Sequence, residues 1–219
     1  MKSYSATHQL CNVVLLGNLV AKPEIRYLAN PVLAVTDLTL ATTHRWKDKQ
    51  QKNKEWTSYH HVKVVGAMVE SALLHADKGD ILLVRGYIAN NKTKPVEIIH
   101  AEAVEHFPKG FTHSINQITC SATVCSDVKL MTSEHNRTFA SFDVSIHHQA
   151  FSEHKNEFMP HHVTRPVQVW GQTAQYISEH AVENSQLIIE GRLSYANNQQ
   201  KSQLIDATQV HILPTASSS

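Results

Sequence analysis

The sequence predicts an all-β protein that consists of two tandem barrels, each with one short helix. The chain has 219 residues, which is longer than a typical domain of about 100 to 150 residues. Segments of the first half recur in the second half at an offset of about 105 residues. Within each copy, apolar and polar residues alternate with the two-residue period of β-strands.

The repeat is supported by several matches in one register. Gly79 falls opposite Asn184, and these are the residue types that most readily adopt the left-handed conformation after a helix. In the second strand the register slips by one residue, so that Leu38 falls opposite Phe142. The other matched segments are Asn12–Gly17 with Gln117–Ala122, Val62–Gly66 with Val167–Gly171, and Ile81–Ile88 with Gln186–Leu193. This pattern indicates a tandem duplication whose copies have diverged.

The elements of the first copy follow from its periodicity. Alternation at Val13 and Leu15 predicts the opening strand, and a long second strand runs into a polar loop. Apolar residues at spacings of three and four predict a helix before the last two strands. The predicted ranges after the opening strand are Val35–Thr42, Tyr59–Val65, the helix Met68–Asp77, Ile81–Ile88 and Val96–Val104.

The second copy has the same order of elements, beginning at Ile118 and Cys120. Its remaining predicted elements are a strand at Thr138–Ile146, a helix at Thr173–Val182, and strands at Gln186–Leu193 and Gln203–Leu213. Three strands, a helix and two strands form the order of a small, partly open Greek-key barrel, the OB-fold. The predicted domains are a first OB-fold at 1–107, a linker at 108–114, a second OB-fold at 115–213 and a flexible C-terminus at 214–219.

Composition excludes several classes of protein. Apolar residues make up 42% and charged residues 18%, which is a globular composition. Apolar stretches such as Val13–Leu16 are too short to span a bilayer. Asn18 interrupts the apolar run near the N-terminus, so we do not interpret this run as a signal peptide. Three cysteines, an odd number, favour a reducing compartment.

The two halves differ in charge. Residues 1–110 carry 14 basic and 10 acidic residues, a net charge of +4, whereas residues 111–219 carry 6 basic and 9 acidic residues, a net charge of −3. The first half is therefore the better candidate for a polyanion-binding surface. The stretch Ser152–His162 has one lysine, two glutamates and three histidines. We expect it to gain positive charge, and to contact phosphates more, as the pH falls toward about 6.

A series of motifs occurs in order along the first copy. They are Asn12–Leu19, Lys22–Tyr27, Leu38–Thr42 leading to Arg45–Asp48, the pair Tyr59 and His60, and Lys78–Gly79 ahead of Val84–Gly86. Through these motifs the first copy, over roughly residues 11–107, resembles the bacterial single-stranded-DNA-binding protein (SSB) family. The second copy resembles a diverged member, through Val169–Gly171 and Ile189–Leu193.

The resemblance implies a barrel whose outer face and long loops wrap single-stranded DNA. It assigns base-stacking positions to Trp46 and Tyr59. A third position holds Val65 in the first copy and Trp170 in the second, and a fourth falls near Thr93, where no aromatic residue is present. In the second copy the counterparts of Trp46 and Tyr59 are Phe151 nearby and Thr164.

The residues support the same chemistry by themselves. Binding of single strands without sequence preference requires aromatic faces for bases and cations for phosphates. Four lysines lie in the polar loop between Trp46 and Trp56, and the alternative is a solvated hairpin with Trp56 packed at its base. The predicted nucleic-acid-binding residues are Trp46, Lys47, Lys49, Lys52, Lys54, Trp56, Tyr59, His61, Lys63, Arg85, Lys92, Phe151, Trp170 and Arg192.

Metal binding and catalysis have little support. Adjacent histidines, as at His60 and His61, point to opposite faces of a strand, and so do Cys120 and Cys125 if their strand is regular. We therefore expect no metal and no cofactor, and interpret the pairs, which include His147–His148 and His161–His162, as surface or subunit contacts. No paired carboxylates, P-loop or nucleophile elbow are present, so we expect no enzyme activity.

The sequence is consistent with two functions. The first is a cytoplasmic, nucleoid-associated bacterial protein that binds single-stranded DNA in replication, recombination or repair, as a homodimer with four OB-folds. The second is a primosome-type or recombination-mediator-type adaptor whose second OB-fold binds protein. Trp170 and Arg192 favour the first, whereas Thr164 and the negative second half favour the second. No acidic residue follows Asp206, so we expect no acidic C-terminal tip for recruiting enzymes.

Overall fold

The computed structural model describes residues 9–47, 50–90, 97–110, 113–134, 136–196 and 202–214. Contacts divide them into two units. One unit is Asn12–Gln117 with Phe151–Glu157, and the other contains the remaining described residues. The all-β fold class, with two OB-folds that each carry a short helical segment, is confirmed. No helix among the described residues is both long enough and apolar enough to cross a bilayer.

The first copy is a closed barrel with one short accessory strand. Its strands are paired in the order β2-β3-β4-β6-β5-β1, and a further pairing of β1 with β3 closes the barrel. β4 and β6 run parallel, and the other pairs are antiparallel. The elements are β1 (Cys11–Leu19), β2 (Arg26–Ala29), β3 (Val32–Lys47), β4 (Asn53–Val65), a π-helical segment (Val69–Leu73), β5 (Ile81–Asn90) and β6 (Glu97–Phe107).

The second copy repeats this topology. Its strands are paired in the order β8-β9-β10-β12-β11-β7, β7 also pairs with β9, and β10 runs parallel to β12. The elements are β7 (Ile115–Val124), β8 (Lys129–Thr132), β9 (Thr138–Ser152), β10 (Glu157–Trp170), α1 (Gly171–His180), β11 (Gln186–Tyr195) and β12 (Gln203–Ile212).

Three features differ from the predicted elements. The short strands β2 and β8 were not predicted, because every one of their residues is exposed and no apolar alternation marks them. The first helix is confined to Val69–Leu73, with only its two end residues buried. β3 and β4 extend to Lys47 and Asn53, so most of the predicted polar loop is a paired two-stranded ribbon.

Backbone geometry repeats at the positions that the duplication predicts. Gly79 and Asn184 both adopt positive φ, 88° and 70°. Gly86 lies at a register shift between β5 and β6, and Gly191 lies at the corresponding shift between β11 and β12. A Cβ atom on Gly86 would lie 2.0 Å from the backbone oxygen of His100, so only glycine allows the strands to approach this closely.

Each barrel interior is mainly apolar, and each buries a polar side chain at the same position of the repeat. In the first copy His60 is fully buried, with Nε2 2.8 Å from Thr42 Oγ1. Burial, and to a smaller extent His61, lowers the pKa of His60 to about 4. At the matching position of the second copy, the buried Arg165 donates a hydrogen bond from Nε to Gln203 Oε1 at 3.0 Å.

The burial of two histidines corrects one prediction. His60 is 0% exposed and His148 is 4% exposed, so the interpretation of the histidine pairs as surface or subunit contacts is wrong for these two residues. The physical reason is strand alternation, which turns one member of each adjacent pair toward the barrel interior. His61 and His147, their neighbours, are exposed.

Candidate nucleic-acid interface

The ribbon formed by the ends of β3 and β4 projects beyond the core of the first barrel, and we call it the arm (residues 43–47 and 50–57). Cross-strand pairs hold its two strands together. The hydroxyls of Thr43 and Thr57 are 3.0 Å apart, and Arg45 Nε lies 3.2 Å from Glu55 Oε2. Threonine favours strands because its branched side chain packs well on a pleated surface, which suits an extended arm.

The predicted binding residues of this copy divide between two faces of the β3–β4 ribbon. Residues that are paired across antiparallel strands lie on the same face. Trp46 pairs with Lys54, and His44 pairs with Trp56, and we call the face that bears these four residues the tryptophan face. The opposite face, the tyrosine face, bears Tyr59, His61 and Lys63.

The aromatic residues of both faces are accessible. Trp46 is 43% exposed, Trp56 61% and Tyr59 53%. Trp56 therefore does not pack at the base of the hairpin, whereas phosphate binding by the lysines of the arm stays a prediction. The imidazole of His44 stacks beside Trp46 with ring centroids 5.5 Å apart. His44 was not predicted, although its position two residues before Trp46 on the same strand places both on one face.

Cations surround Trp46. Lys47, Lys52 and Lys54 are all exposed. A shallow depression of about 600 Å³ is lined by the residues on both sides of the Trp46 and Lys54 pair, which are Arg45, Trp46, Lys47, Asn53, Lys54 and Glu55. Lys49, Lys92 and Thr93 lie outside the described residues.

Arg85 is not part of this arrangement. It lies on β5, which pairs with β1 and β6 and not with the strands of the arm. Its Nη1 atom lies 2.7 Å from Glu105 Oε1 in an exposed ion pair. Lys63, by contrast, lies on the tyrosine face opposite Asp37 in the strand register, and the Asp37 carboxylate is 2.6 Å from Arg26 Nη2.

In the second copy, Trp170 and Arg192 are both bound to one carboxylate. The indole Nε1–H of Trp170 donates to Asp206 Oδ1 at 3.2 Å. Arg192 donates to Asp206 Oδ2 from Nε at 2.9 Å and from Nη2 at 2.7 Å. The guanidinium carbon of Arg137 lies 4.9 Å from the centre of the Trp170 ring, and the ring of Phe139 lies at the same distance. Trp170 is therefore less available to a base than Trp46.

The other counterparts in the second copy do not reproduce the tryptophans and lysines of the arm. A single antiparallel register between β9 and β10 accounts for two ring contacts. It places Phe139 opposite Trp170 and His147 opposite His162. In that register Ala150 replaces Trp46, and Thr164 replaces Tyr59 as predicted. Phe151, the predicted stacking residue, is 45% exposed and occupies the position of Lys47.

The histidines of β9 and β10 form two stacked pairs. The rings of His147 and His162 are 4.3 Å apart, and those of His148 and His161 are 5.1 Å apart. Burial and the neighbouring histidines lower the pKa of His148 to about 4, and burial and His162 lower that of His147. The gain of positive charge expected for Ser152–His162 stays a prediction, because neither shift concerns a residue of that stretch.

Comparison with known proteins identifies the chain. The model of the single-strand binding protein family matches it twice, over residues 10–103 and 115–213. A crystal structure of a deletion mutant of the single-stranded DNA-binding protein from Thermus aquaticus is similar, with a TM-score of 0.77 and 22% identity, and the match covers 94% of this chain and 95% of that chain. The wild-type Thermus aquaticus protein gives a TM-score of 0.75 and 21% identity, with 94% of each chain covered. With most of its length matched in two consecutive copies, the chain belongs to the single-strand binding protein family.

Proposed function

We propose that this protein binds single-stranded DNA without strong sequence preference, mainly through the arm of the first copy. The observation that carries the proposal is the pair of exposed tryptophans, Trp46 and Trp56, on the one face of the arm that also bears Lys54. Large aromatic rings are rarely left exposed beside lysines for packing reasons alone. Family membership supports the same function.

The mechanism uses two kinds of contact. Bases stack on Trp46 and Trp56, and each stacked base contributes about 1 to 3 kcal/mol as measured by truncation. Lys47, Lys52 and Lys54 neutralise phosphates and release counterions, which makes binding dependent on salt. Because every base has a π-face, this arrangement does not discriminate between sequences.

Tyr59 extends the path of the strand to the second face. It pairs with Ala41, whose small side chain leaves one side of the phenol ring open. His61 and Lys63 follow on the same face. A single strand that passes over the edge of the ribbon therefore meets aromatic and cationic groups on both faces.

The wider role is that of a bacterial cytoplasmic protein in DNA replication, recombination or repair. A homodimer would provide four OB-folds. The chain is not an enzyme, as members of its family bind DNA without catalysing a reaction.

A second candidate function is an adaptor whose second OB-fold contacts a protein. The specific observation in its favour is the engagement of Trp170 and Arg192 by Asp206, which withdraws the two best DNA contacts of that copy. Phe158, 68% exposed on β10, provides an apolar contact that suits a protein partner.

Fluorescence titration tests the proposed function. Single-stranded oligonucleotides of increasing length are added to the full chain at two salt concentrations, and tryptophan emission is followed. We expect quenching that saturates, tighter binding to longer strands, and weaker binding to duplex DNA. Tight, salt-insensitive binding to one duplex sequence would contradict the proposal, and quenching that is unaffected by both Trp46→Ala and Trp56→Ala would remove the arm from it.

A further inference from the structure

A small polar pocket lies at the edge of β3, at the point where the arm leaves the first barrel. Its volume is about 170 Å³, more than ten times the roughly 10 to 15 Å³ that a single water molecule requires. The end of β1, the start of the arm and the segment between β6 and β7 provide its walls, through Asn18, Thr43, His44, Arg45, His113 and Ser114. The pocket can therefore hold a group larger than water.

The pocket lies beyond the last pair that β1 makes with β3. The pairing of these strands ends with Asn18 opposite Ala41. Farther along β3, the backbone N–H of Thr43 donates a hydrogen bond to Ser114 Oγ at 2.9 Å. A side chain from the segment between β6 and β7 thus takes the place of a strand at this edge of the arm.

Hydrogen-bond donors predominate in the pocket. Asn18 and Ser114 provide an amide and a hydroxyl, and Arg45 provides a guanidinium. His44 and His113 each provide an imidazole, which has one N–H donor even when it is neutral. Among the described residues that line the pocket, none carries a carboxylate. Such a set of donors suits a phosphate, whose oxygens accept several hydrogen bonds.

The guanidinium of Arg45 has an acidic neighbour across the arm. Its Nε atom lies 3.2 Å from Glu55 Oε2, and the two side chains are 53% and 64% exposed. Exposed ion pairs contribute little to stability, so a phosphate can share this guanidinium or displace Glu55 at small cost. Arginine also binds phosphate oxygens through parallel N–H groups, which fixes the geometry of the contact.

We propose that this pocket holds one backbone phosphate of a single strand where the strand crosses the edge of the arm between the tryptophan face and the tyrosine face. Alternate residues of a strand point to opposite faces, so Thr43 and Arg45 belong to one face and His44 to the other. The ring of His44 stacks beside Trp46, and Arg45 also lines the depression beside Trp46. A strand with one base on Trp46 can thus place a neighbouring phosphate in the pocket. The inference deepens the proposed function and rests on it.

The corresponding positions of the second copy hold different groups. In the register of β9 and β10, Gln149 takes the place of Arg45, and His148 takes the place of His44. His148 is 4% exposed, so it faces the barrel interior instead of the edge. We therefore assign the crossing to the first copy.

The test uses substitutions of His113, which lines the pocket but is not part of the arm. His113→Lys adds a permanent cation and should strengthen binding of a single-stranded oligonucleotide to the full chain. It should also steepen the slope of log K against log salt concentration by about 0.7, the contribution of one more neutralised phosphate. His113→Glu adds a negative charge at the same point and should weaken binding several-fold. His75→Lys and His75→Glu make the same changes at an exposed histidine elsewhere in the first copy and are the matched controls.

Anisotropy of a labelled oligonucleotide measures these affinities, and circular dichroism establishes that each variant is folded. Changes at His113 that exceed those at His75 support the pocket, and equal changes at both positions overturn it. Each titration is repeated with an oligonucleotide that carries a terminal phosphate. The effects should be the same, because the proposed ligand is an internal phosphate. Effects confined to the terminally phosphorylated strand would overturn the crossing.

A second measurement does not depend on the proposed function. Inorganic phosphate is added to the full chain at constant pH and ionic strength, and the imidazole resonances are followed by NMR. Those of His44 and His113 should shift, whereas that of His75 should not. Absence of binding to any single strand would contradict the proposed function, and the phosphate titration would then still decide the pocket. No shift of either imidazole, or an equal shift of His75, would overturn it.

Discussion

Trp46 and Tyr59 lie on opposite faces of the same two-stranded ribbon. Trp46 shares a face with its partner Lys54, and Tyr59 with its partner Ala41. Trp46 and Ala41 are an odd number of residues apart on β3, so they face opposite sides. Both rings are about half exposed. A DNA strand that stacks on both must cross the edge of the ribbon. The two residues should therefore contribute to affinity independently, as distant groups without shared partners do.

Trp46→Ala should weaken single-strand binding by about 1 to 3 kcal/mol while the fold remains intact, because its ring is exposed and stacks on bases. Fluorescence anisotropy with a labelled oligonucleotide measures the affinity, and thermal unfolding measures the fold. Trp46→Phe, which keeps an aromatic face, should retain most of the affinity. A large loss of stability in Trp46→Ala would show that the residue serves packing.

Lys54→Gln should reduce the dependence of binding on salt. Each phosphate that is neutralised on a single strand contributes about −0.7 to the slope of log K against log salt concentration. The affinity is measured at several salt concentrations for the wild type and the variant. Lys78→Gln, a change of an exposed lysine in the turn before β5, is the control that should leave the slope unchanged. An unaltered slope in Lys54→Gln would remove this lysine from the interface.

Asp206→Asn should strengthen single-strand binding, because the negative charge that engages Arg192 and holds Trp170 is removed. The asparagine oxygen can still accept a hydrogen bond, so the fold should tolerate the change. We expect affinity to rise by a few-fold at low salt, which corresponds to about 1 kcal/mol or less. Glu190→Gln, an exposed acid on β11, controls for a general effect of charge. An equal gain in both variants would mean that release of Arg192 and Trp170 is not the cause.

The buried His60 should make stability fall in mild acid. Its pKa is about 4 in the folded barrel, below its ordinary value of 6.5, so the unfolded chain binds a proton that the folded chain does not. Stability is then full above about pH 6.5 and is lost progressively as the pH falls toward about 4. Urea unfolding across this pH range measures the slope, and His60→Gln should make it shallower. The slope that remains is due to the buried His148, whose pKa is also lowered to about 4. His61→Gln, on the opposite face of the strand, should change it much less, because burial lowers the pKa of His60 more than His61 does. An effect of His61→Gln as large as that of His60→Gln would contradict this assignment.

Much of the fold could be predicted because its signals are local. Alternation of apolar residues predicts each long strand from neighbouring positions, and Gly79 and Asn184 predict the same left-handed turn in both copies. The slip of one residue between the copies also has a structural counterpart. Val35 pairs with Val65 in the first copy, and Phe139 stacks on Trp170 in the second. Phe139 lies 104 residues after Val35, whereas Trp170 lies 105 residues after Val65.

The candidate site was only partly predictable, because its arrangement depends on register between strands. The spacing of residues along the chain already places Trp46, Trp56 and the lysines close together. Strand pairing in the fold places Tyr59 on the other face, brings Asp206 to Trp170 and Arg192, and stacks His147 on His162. The physical reason is that the period along a strand is set by neighbouring residues, whereas cross-strand pairs are set by non-local hydrogen bonding and burial of one face.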